Sequence, residues 1–226
     1  MYTNYLVLEK LLSGQELSQI FQLIDQAVFQ DGSSTASSDA ASVKNNLQIR
    51  AEENFQAQQI GQIVMSSLSR RPEFQSAILP KVILPPLVSI YREKMSYGMH
   101  VDSPLMGSQF TIRTDVGMTL FLSEPDTYEG GELLVITETG KKKFKLNAGD
   151  AIVYPTTKLH EVLPVTSGKR IAVVTWAQSA VRDAHKREIL FNLQSSISNL
   201  VNDEMKNERI KLQQVYANLV RMWAEL

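Results

Sequence analysis

The chain contains no cysteine. That absence removes disulfides, thiolate zinc sites, iron–sulfur clusters and cysteine nucleophiles, so any metal must be held by His, Asp or Glu. It does not fix the redox compartment. Histidine is scarce: His100, His160 and His185 are all there are. A charge excess is also missing, because 23 Lys and Arg against 24 Asp and Glu leave a net charge of −1. Such a balance provides no basic stripe for nucleic-acid phosphates or an acidic membrane surface. No apolar run approaches the length of a bilayer span. The opening MYTNYLVLEKLLSGQEL has no basic segment followed by a long apolar one, so no signal peptide is expected. The expectation is a cytoplasmic protein with neither nucleic acid nor membrane as partner.

At 226 residues the chain suffices for one substantial domain with a small appendage. NYLVLEK reads as a first strand, and SGQELSQIFQLIDQAVF as a helix opened by a Ser13–Glu16 capping box. Leu17, Ile20, Phe21, Ile24 and Val28 give that helix an apolar stripe. Residues 31–42, DGSSTASSDAAS, are small and polar; they read as a mobile loop, either a linker or a substrate lid. AEENFQAQQIGQIVMSSLS reads as a second helix ending near Arg71-Pro72.

From residue 81 the texture changes to short β-rich runs broken by turn signals, including GMTLFLS, GELLVIT, DAIVYP, LHEVLPV and RIAVVTWAQ. About eight strands at this rhythm predict an all-β sandwich or barrel. After Gln178 the strand signals stop, and RDAHKREILFNLQSSISNLVNDE and MKNERIKLQQVYANLVRMWAEL read as helices. Val215, Leu219, Met222, Trp223 and Leu226 line one face of the last, suited either to packing on the parent domain or to a homodimer contact. The organisation expected is an N-terminal strand and helices over 1–80, a β-core over 81–178 and a C-terminal helical extension over 179–226.

The stretch YGMHVDSP places His100 and Asp102 two apart at the end of a predicted strand. Residues i and i+2 of a strand share a face, so imidazole and carboxylate aim at one point. A third metal ligand is found in His160, since His185 sits in a charged helical stretch. His160 lies in a predicted hairpin with Thr166-Ser167-Gly168 as its loop and Gly168 left-handed. In that register Val165 faces Lys169, Pro164 faces Arg170, and His160 faces Val174. Arg170 then shares His160's sheet face with Ala172, Val174 and Trp176. A guanidinium on that mostly apolar face needs an anion, either an internal carboxylate or a bound one held by its bidentate fork. Two His and a carboxylate with open positions form the facial triad of non-haem Fe(II) oxygenases, although zinc takes similar ligands. The distal Arg favours iron with a keto-acid cosubstrate.

Taken together, YGMHVDSP, RTDVGMTLFLSEPDTYEGGELLV and LNAGDAIVYPTTKLHEVLPVTSGKRIAVVTWAQS closely resemble the PKHD-type hydroxylases. This is a bacterial group within the Fe(II)/2-oxoglutarate dioxygenases, on the prolyl 4-hydroxylase-like branch. The resemblance runs from about residue 3 to about 225. It implies a mainly β fold, a distorted double-stranded β-helix (jelly roll) with N-terminal helices and a C-terminal helical extension. It implies that His100, Asp102 and His160 bind Fe(II), that Arg170 binds the distal carboxylate of 2-oxoglutarate, and that ascorbate serves as reductant. The implied reaction hydroxylates an unidentified small-molecule or peptide substrate with O₂, converting 2-oxoglutarate to succinate and CO₂. A non-catalytic cupin-like metal-binding or sensing protein and a zinc hydrolase are the competing readings. Tyr91 and Tyr97 either line the cosubstrate pocket or pack, and Thr119 either reaches 2-oxoglutarate or is an ordinary strand residue. Arg113 and Asp115 read as a surface ion pair, Gly130 and Gly131 as a turn or bulge of positive φ, Lys141–Lys143 as a solvated turn, Trp176 as core and His185 as exposed.

Overall fold

The capping box at Ser13 opens the first helix: its hydroxyl accepts from the Glu16 amide, and the Glu16 carboxylate accepts from the Ser13 amide at 2.8 Å. The helix runs Gly14–Asp25 and buries Ile20 and Ile24. Val28 does not belong to its stripe. The chain leaves the helix at Gln26, and Val28 is 75% exposed in the segment that follows. In the computed structural model, residues 5–35, 38–50, 54–107 and 111–225 are described. The second helix spans Phe55–Ser69, with the Asn54 side chain accepting from the Ala57 amide; residues 51–53 of the predicted helix lie outside the described set. Pro72 then opens a further helix, Pro72–Ile78, which the sequence reading missed. Proline ends one helix but is well suited to the first turn of the next, where its missing N–H has no partner to lose.

Most of the strands form two facing antiparallel sheets, and two further pairs, Tyr128–Gly130 with Val165–Gly168 and Leu105–Met106 with Ile112–Arg113, stand apart from them. The larger has the order Leu6–Leu8, Ala151–Pro155, Val116–Phe121, Arg170–Ser179, Leu87–Tyr91, Leu47–Arg50, Gln30–Asp31, with Pro80–Ile83 also pairing Arg170–Ser179. The smaller has the order Gly140–Phe144, Leu133–Thr137, His160–Val162, Ser96–His100, Lys44–Asn45. The helices Gly14–Asp25, Phe55–Ser69 and Pro72–Ile78 cover the outer face of the larger sheet, where Ile20, Ile60, Val64, Ile78, Val88, Leu120 and Val173 form one core. Between the sheets a second core gathers Tyr91, Phe121, Leu133, Val135, Ile152 and Tyr154. A sheet covered on both faces needs apolar side chains pointing both ways, which is why GMTLFL and RIAVVT read as nearly continuous apolar runs.

The predicted hairpin between His160 and Arg170 is not formed. His160–Val162 pairs with Leu133–Thr137 and Ser96–His100 in the smaller sheet, while Arg170–Ser179 lies between Val116–Phe121 and Leu87–Tyr91 in the larger. The expected partners Val165/Lys169, Pro164/Arg170 and His160/Val174 do not face each other. The chain crosses between sheets instead. Pro164 has no N–H for a ladder, its carbonyl accepts from Gly131, and Val165–Gly168 pairs with Tyr128–Gly130. Gly168 does have positive φ, +75°, without capping a hairpin, and its place against the Thr127 carbonyl and Tyr128 leaves no space for a Cβ. Lys141–Lys143 lie on the exposed edge strand Gly140–Phe144, not in a turn; lysines on an edge discourage pairing with another chain.

The C-terminal helices are Ala184–Asn199 and Lys206–Trp223. Half-buried Leu212, Tyr216, Leu219 and Trp223 form the inner seam of the last one. Val215 and Met222, expected on that seam, flank it and are 47% and 74% exposed; Leu226 lies outside the described residues. The tail is tied back by Glu225, whose amide donates to the Ala180 carbonyl at 2.8 Å and whose carboxylate meets Arg113 at 2.9 Å.

Candidate active site

His100 ends the strand Ser96–His100 and His160 begins His160–Val162; the two residues are direct partners in the ladder. Their imidazoles are thus cross-strand neighbours, with ring centroids 4.2 Å apart. Each Nδ1 lies against a backbone carbonyl, that of Gly98 at 2.8 Å for His100 and that of Lys158 at 3.0 Å for His160. A carbonyl can only accept, so each Nδ1 carries the proton and each Nε2 keeps a lone pair. Asp102 brings Oδ1 to 3.8 Å from His160 Nε2. One donor atom from each of the three residues lies within 4.8 Å of the others.

Desolvation dominates the electrostatics of the site. Burial and the neighbouring His160 push the His100 imidazole down to about 4, so it is neutral at neutral pH. Burial raises the Asp102 carboxyl, opposed by His160 and by the Trp176 indole. Asp102 Oδ2 is buried without a hydrogen-bond partner among the described residues. A carboxylate oxygen lacking a donor, facing two imidazole lone pairs, is the arrangement a divalent cation satisfies. Packing fixes the two imidazoles: Tyr97 stacks on His100 at 3.6 Å, and Tyr154 meets His160 edge-on at 5.1 Å.

Arg170 is 1% exposed and pairs with Tyr91 across the larger sheet. Its Nε and Nη2 are buried with no acceptor in full hydrogen-bond geometry, the Tyr128 hydroxyl lies beside the guanidinium, and no carboxylate pairs with it among the described residues. The guanidinium lies over the rings of Tyr91 and Phe121, at 5.2 and 5.3 Å. Of the two anions the sequence allowed, the internal carboxylate is therefore not found among the described residues. Gly131, φ +64°, makes room for the arginine stem: a Cβ would sit 3.2 Å from Arg170 Cδ.

A cavity of about 450 Å³ between the sheets is lined by His100, Asp102, His160, Arg170, Tyr91 and Thr119. His160 and Arg170 reach it from opposite sheets rather than from one hairpin. Thr119 is also engaged with the Tyr154 hydroxyl. Trp176, read as core, is half-buried in the cavity wall beside Asp102; its alternation with Arg170 and Val174 was the signal. Lys44, Gln48 and Ser89 also line the cavity and were not singled out from sequence. Ala40, in the predicted 31–42 loop, borders it as well. Arg113 and Asp115 do pair, at 2.7 Å, but Asp115 is 6% exposed and also accepts from the Ser179 amide, so the pair is a clamp rather than a surface contact. His185 is exposed, as expected.

Residues 86–178 match the 2OG-Fe(II) oxygenase superfamily, and residues 184–225 the PKHD-type hydroxylase C-terminal domain. A PKHD-type hydroxylase of Synechococcus sp. (strain JA-2-3B'a(2-13)) is 45% identical over 95% of this chain and 96% of its own length. The chain belongs to the PKHD-type hydroxylase family. A relative of the same description from Shewanella frigidimarina is 42% identical over 98% of this chain and 100% of its own. A Pseudomonas putida prolyl-4-hydroxylase shares the fold, with a TM-score of 0.55 at 16% identity over 78% of this chain and 94% of that one. The PKHD-type chain thus has the double-stranded β-helix expected from its sequence and is an oxygenase of the 2-oxoglutarate- and Fe(II)-dependent family.

Proposed function

We propose that His100, Asp102 and His160 hold Fe(II), that Arg170 holds the distal carboxylate of 2-oxoglutarate, and that the chain hydroxylates a substrate bound in the same cavity. The observation that carries this reading is the joint one of a convergent His-Asp-His triad and a buried arginine without an acceptor, both facing one cavity. Bound iron and 2-oxoglutarate would supply the oxidising chemistry, with O₂ as oxidant and succinate and CO₂ as products. The residues have narrower tasks. The Gly98 and Lys158 carbonyls keep each Nδ1 protonated and each Nε2 free to ligate. Asp102 provides the anionic ligand, and the Trp176 indole favours its ionised form. Arg170 orients the cosubstrate through two parallel donors, and Tyr91 and Thr119 border its path.

Ascorbate as the reductant that keeps iron ferrous fits this chemistry, as does a reducing cytoplasmic setting. No helix among the described residues is long and apolar enough to cross a membrane. A homodimer through the C-terminal helices draws support from the exposed Ile210, Val215 and Met222 of the last one. Succinate release from 2-oxoglutarate under O₂ tests the reading. Wild type releases succinate only with Fe(II), His160→Ala neither retains iron nor releases succinate, and iron-dependent release by His160→Ala would refute the ligand assignment.

A further inference from the structure

One buried tyrosine beside Arg170 has no task in the proposed reaction. Tyr128 is 3% exposed, and its hydroxyl is buried without a hydrogen bond in full geometry among the described residues. Arg170 Nε and Nη2 are buried in the same state, and the Tyr128 hydroxyl lies beside that guanidinium. Gly131 shows how closely the two side chains run, since a Cβ there would sit 3.2 Å from both Tyr128 Cε2 and Arg170 Cδ. Two orphaned buried groups, one rich in N–H donors and one with an open oxygen, are complementary. The tyrosine is itself anchored by other contacts. Its strand, Tyr128–Gly130, pairs with Val165–Gly168, which ends two residues before Arg170. Lys145 Nζ donates to the Tyr128 carbonyl at 2.6 Å and stands 4.2 Å from the ring centre. Ring and backbone are thus held by contacts that do not involve the hydroxyl.

A guanidinium carries five N–H groups in one plane, and a carboxylate docked on its fork takes two of them. The fork works only while that plane is aimed at the carboxylate. The Tyr91 and Phe121 rings pack on the guanidinium at 5.2 and 5.3 Å, but neither gives Nε or Nη2 a hydrogen bond. Contact with a ring is weakly directional, whereas a hydrogen bond fixes the angle of its donor. The Tyr128 oxygen is placed to supply that fixed point, on an N–H group that the carboxylate leaves over. The cavity is lined by Arg170 and not by Tyr128, so the hydroxyl acts on the arginine rather than on a bound molecule.

We infer that Tyr128 is a positioning residue for the cosubstrate site, its hydroxyl oxygen accepting from the Arg170 guanidinium and holding the fork aimed into the cavity. The inference rests on the proposal that Arg170 binds 2-oxoglutarate. Calorimetry on the Zn(II)-loaded chain tests it without turnover. Tyr128→Phe keeps the ring and removes one oxygen. It weakens 2-oxoglutarate by about three- to tenfold, the loss of one hydrogen bond to a charged group, and leaves Zn(II) affinity within twofold. With Fe(II) and O₂, the KM for 2-oxoglutarate rises by the same factor while kcat stays within twofold. Arg170→Lys weakens 2-oxoglutarate by itself, and adding Tyr128→Phe to it changes the affinity by less than twofold, because an ammonium has no plane to orient. Unchanged 2-oxoglutarate affinity in Tyr128→Phe overturns the inference, because the hydroxyl then only packs. An equal loss in the wild-type and Arg170→Lys backgrounds also overturns it, because the hydroxyl then acts by a route other than Arg170. So does a loss of Zn(II) affinity in Tyr128→Phe, which would place its effect on the whole site. Full 2-oxoglutarate affinity in Arg170→Lys would instead sink the cosubstrate assignment itself, and the inference with it.

Discussion

Arg170 shows how little of a residue's role lies in its own identity. Its position on an apolar strand face was legible, because alternation along RIAVVTW holds whatever the strand pairs with. The absence of an internal carboxylate was not, since it depends on every element packed around the guanidinium. If that fork holds a carboxylate, Arg170→Ala raises the KM for 2-oxoglutarate by about 100-fold, the loss of two charge-assisted hydrogen bonds. Arg170→Lys, which keeps the charge but not the fork, recovers part of that, and steady-state kinetics separates them. Gly131 tests the same neighbourhood through the backbone. Its φ of +64° disfavours any Cβ, and a methyl would meet Val165 Cγ2 at 2.9 Å. Gly131→Ala should cost about 1–2 kcal/mol in urea denaturation. The His-Asp half of the triad was legible for the opposite reason to Arg170's partner: two residues of spacing keep the pair close locally, although Asp102 lies just past the end of the strand Ser96–His100. Trp176 shares Arg170's strand face, yet that alternation could not reveal that Asp102 lies across from it.

At the scale of elements, most of the longer strands from residue 81 onward were legible, while short ones such as Tyr128–Gly130 and Val165–Gly168, and the strand partners, were not. The Thr166-Ser167-Gly168 signal marks a place where the chain bends, and a bend within one sheet looks the same in sequence as a crossing between two. Pro164 was the feature that argued for crossing. The strand Leu47–Arg50 was missed because it is short, and the functional reading lost Gln48 with it. Helix starts were clearer, because capping chemistry is local. Glu16 gives that capping a measurable consequence. Its burial opposes ionisation, but hydrogen bonds from Ser13, Arg70 and Ser67 outweigh it and bring the carboxyl down to about 2 from 4.5. The folded-state value is depressed, so the stabilisation is complete above about pH 4.5 and is lost as pH falls towards 2. After allowance for solvent screening of a partly exposed group, Glu16→Gln should cost about 1 kcal/mol at pH 7. That difference should shrink between pH 4.5 and 2, as read from thermal melts.

For the whole molecule, the rhythm of short strands made a sandwich or barrel legible and the family resemblance narrowed it to the double-stranded β-helix, while the cavity between its sheets required both sheets at once. The smaller sheet contributes His100 and His160, the larger contributes Arg170, Tyr91, Thr119 and Trp176, and neither holds a site alone. Anomalous diffraction from crystals grown anaerobically with Fe(II) and 2-oxoglutarate tests this account most directly. It predicts one iron peak bonded to His100 Nε2, Asp102 and His160 Nε2, with the distal carboxylate of 2-oxoglutarate on the Arg170 guanidinium. Iron bound away from those three atoms, or 2-oxoglutarate held with Arg170 untouched, would contradict it.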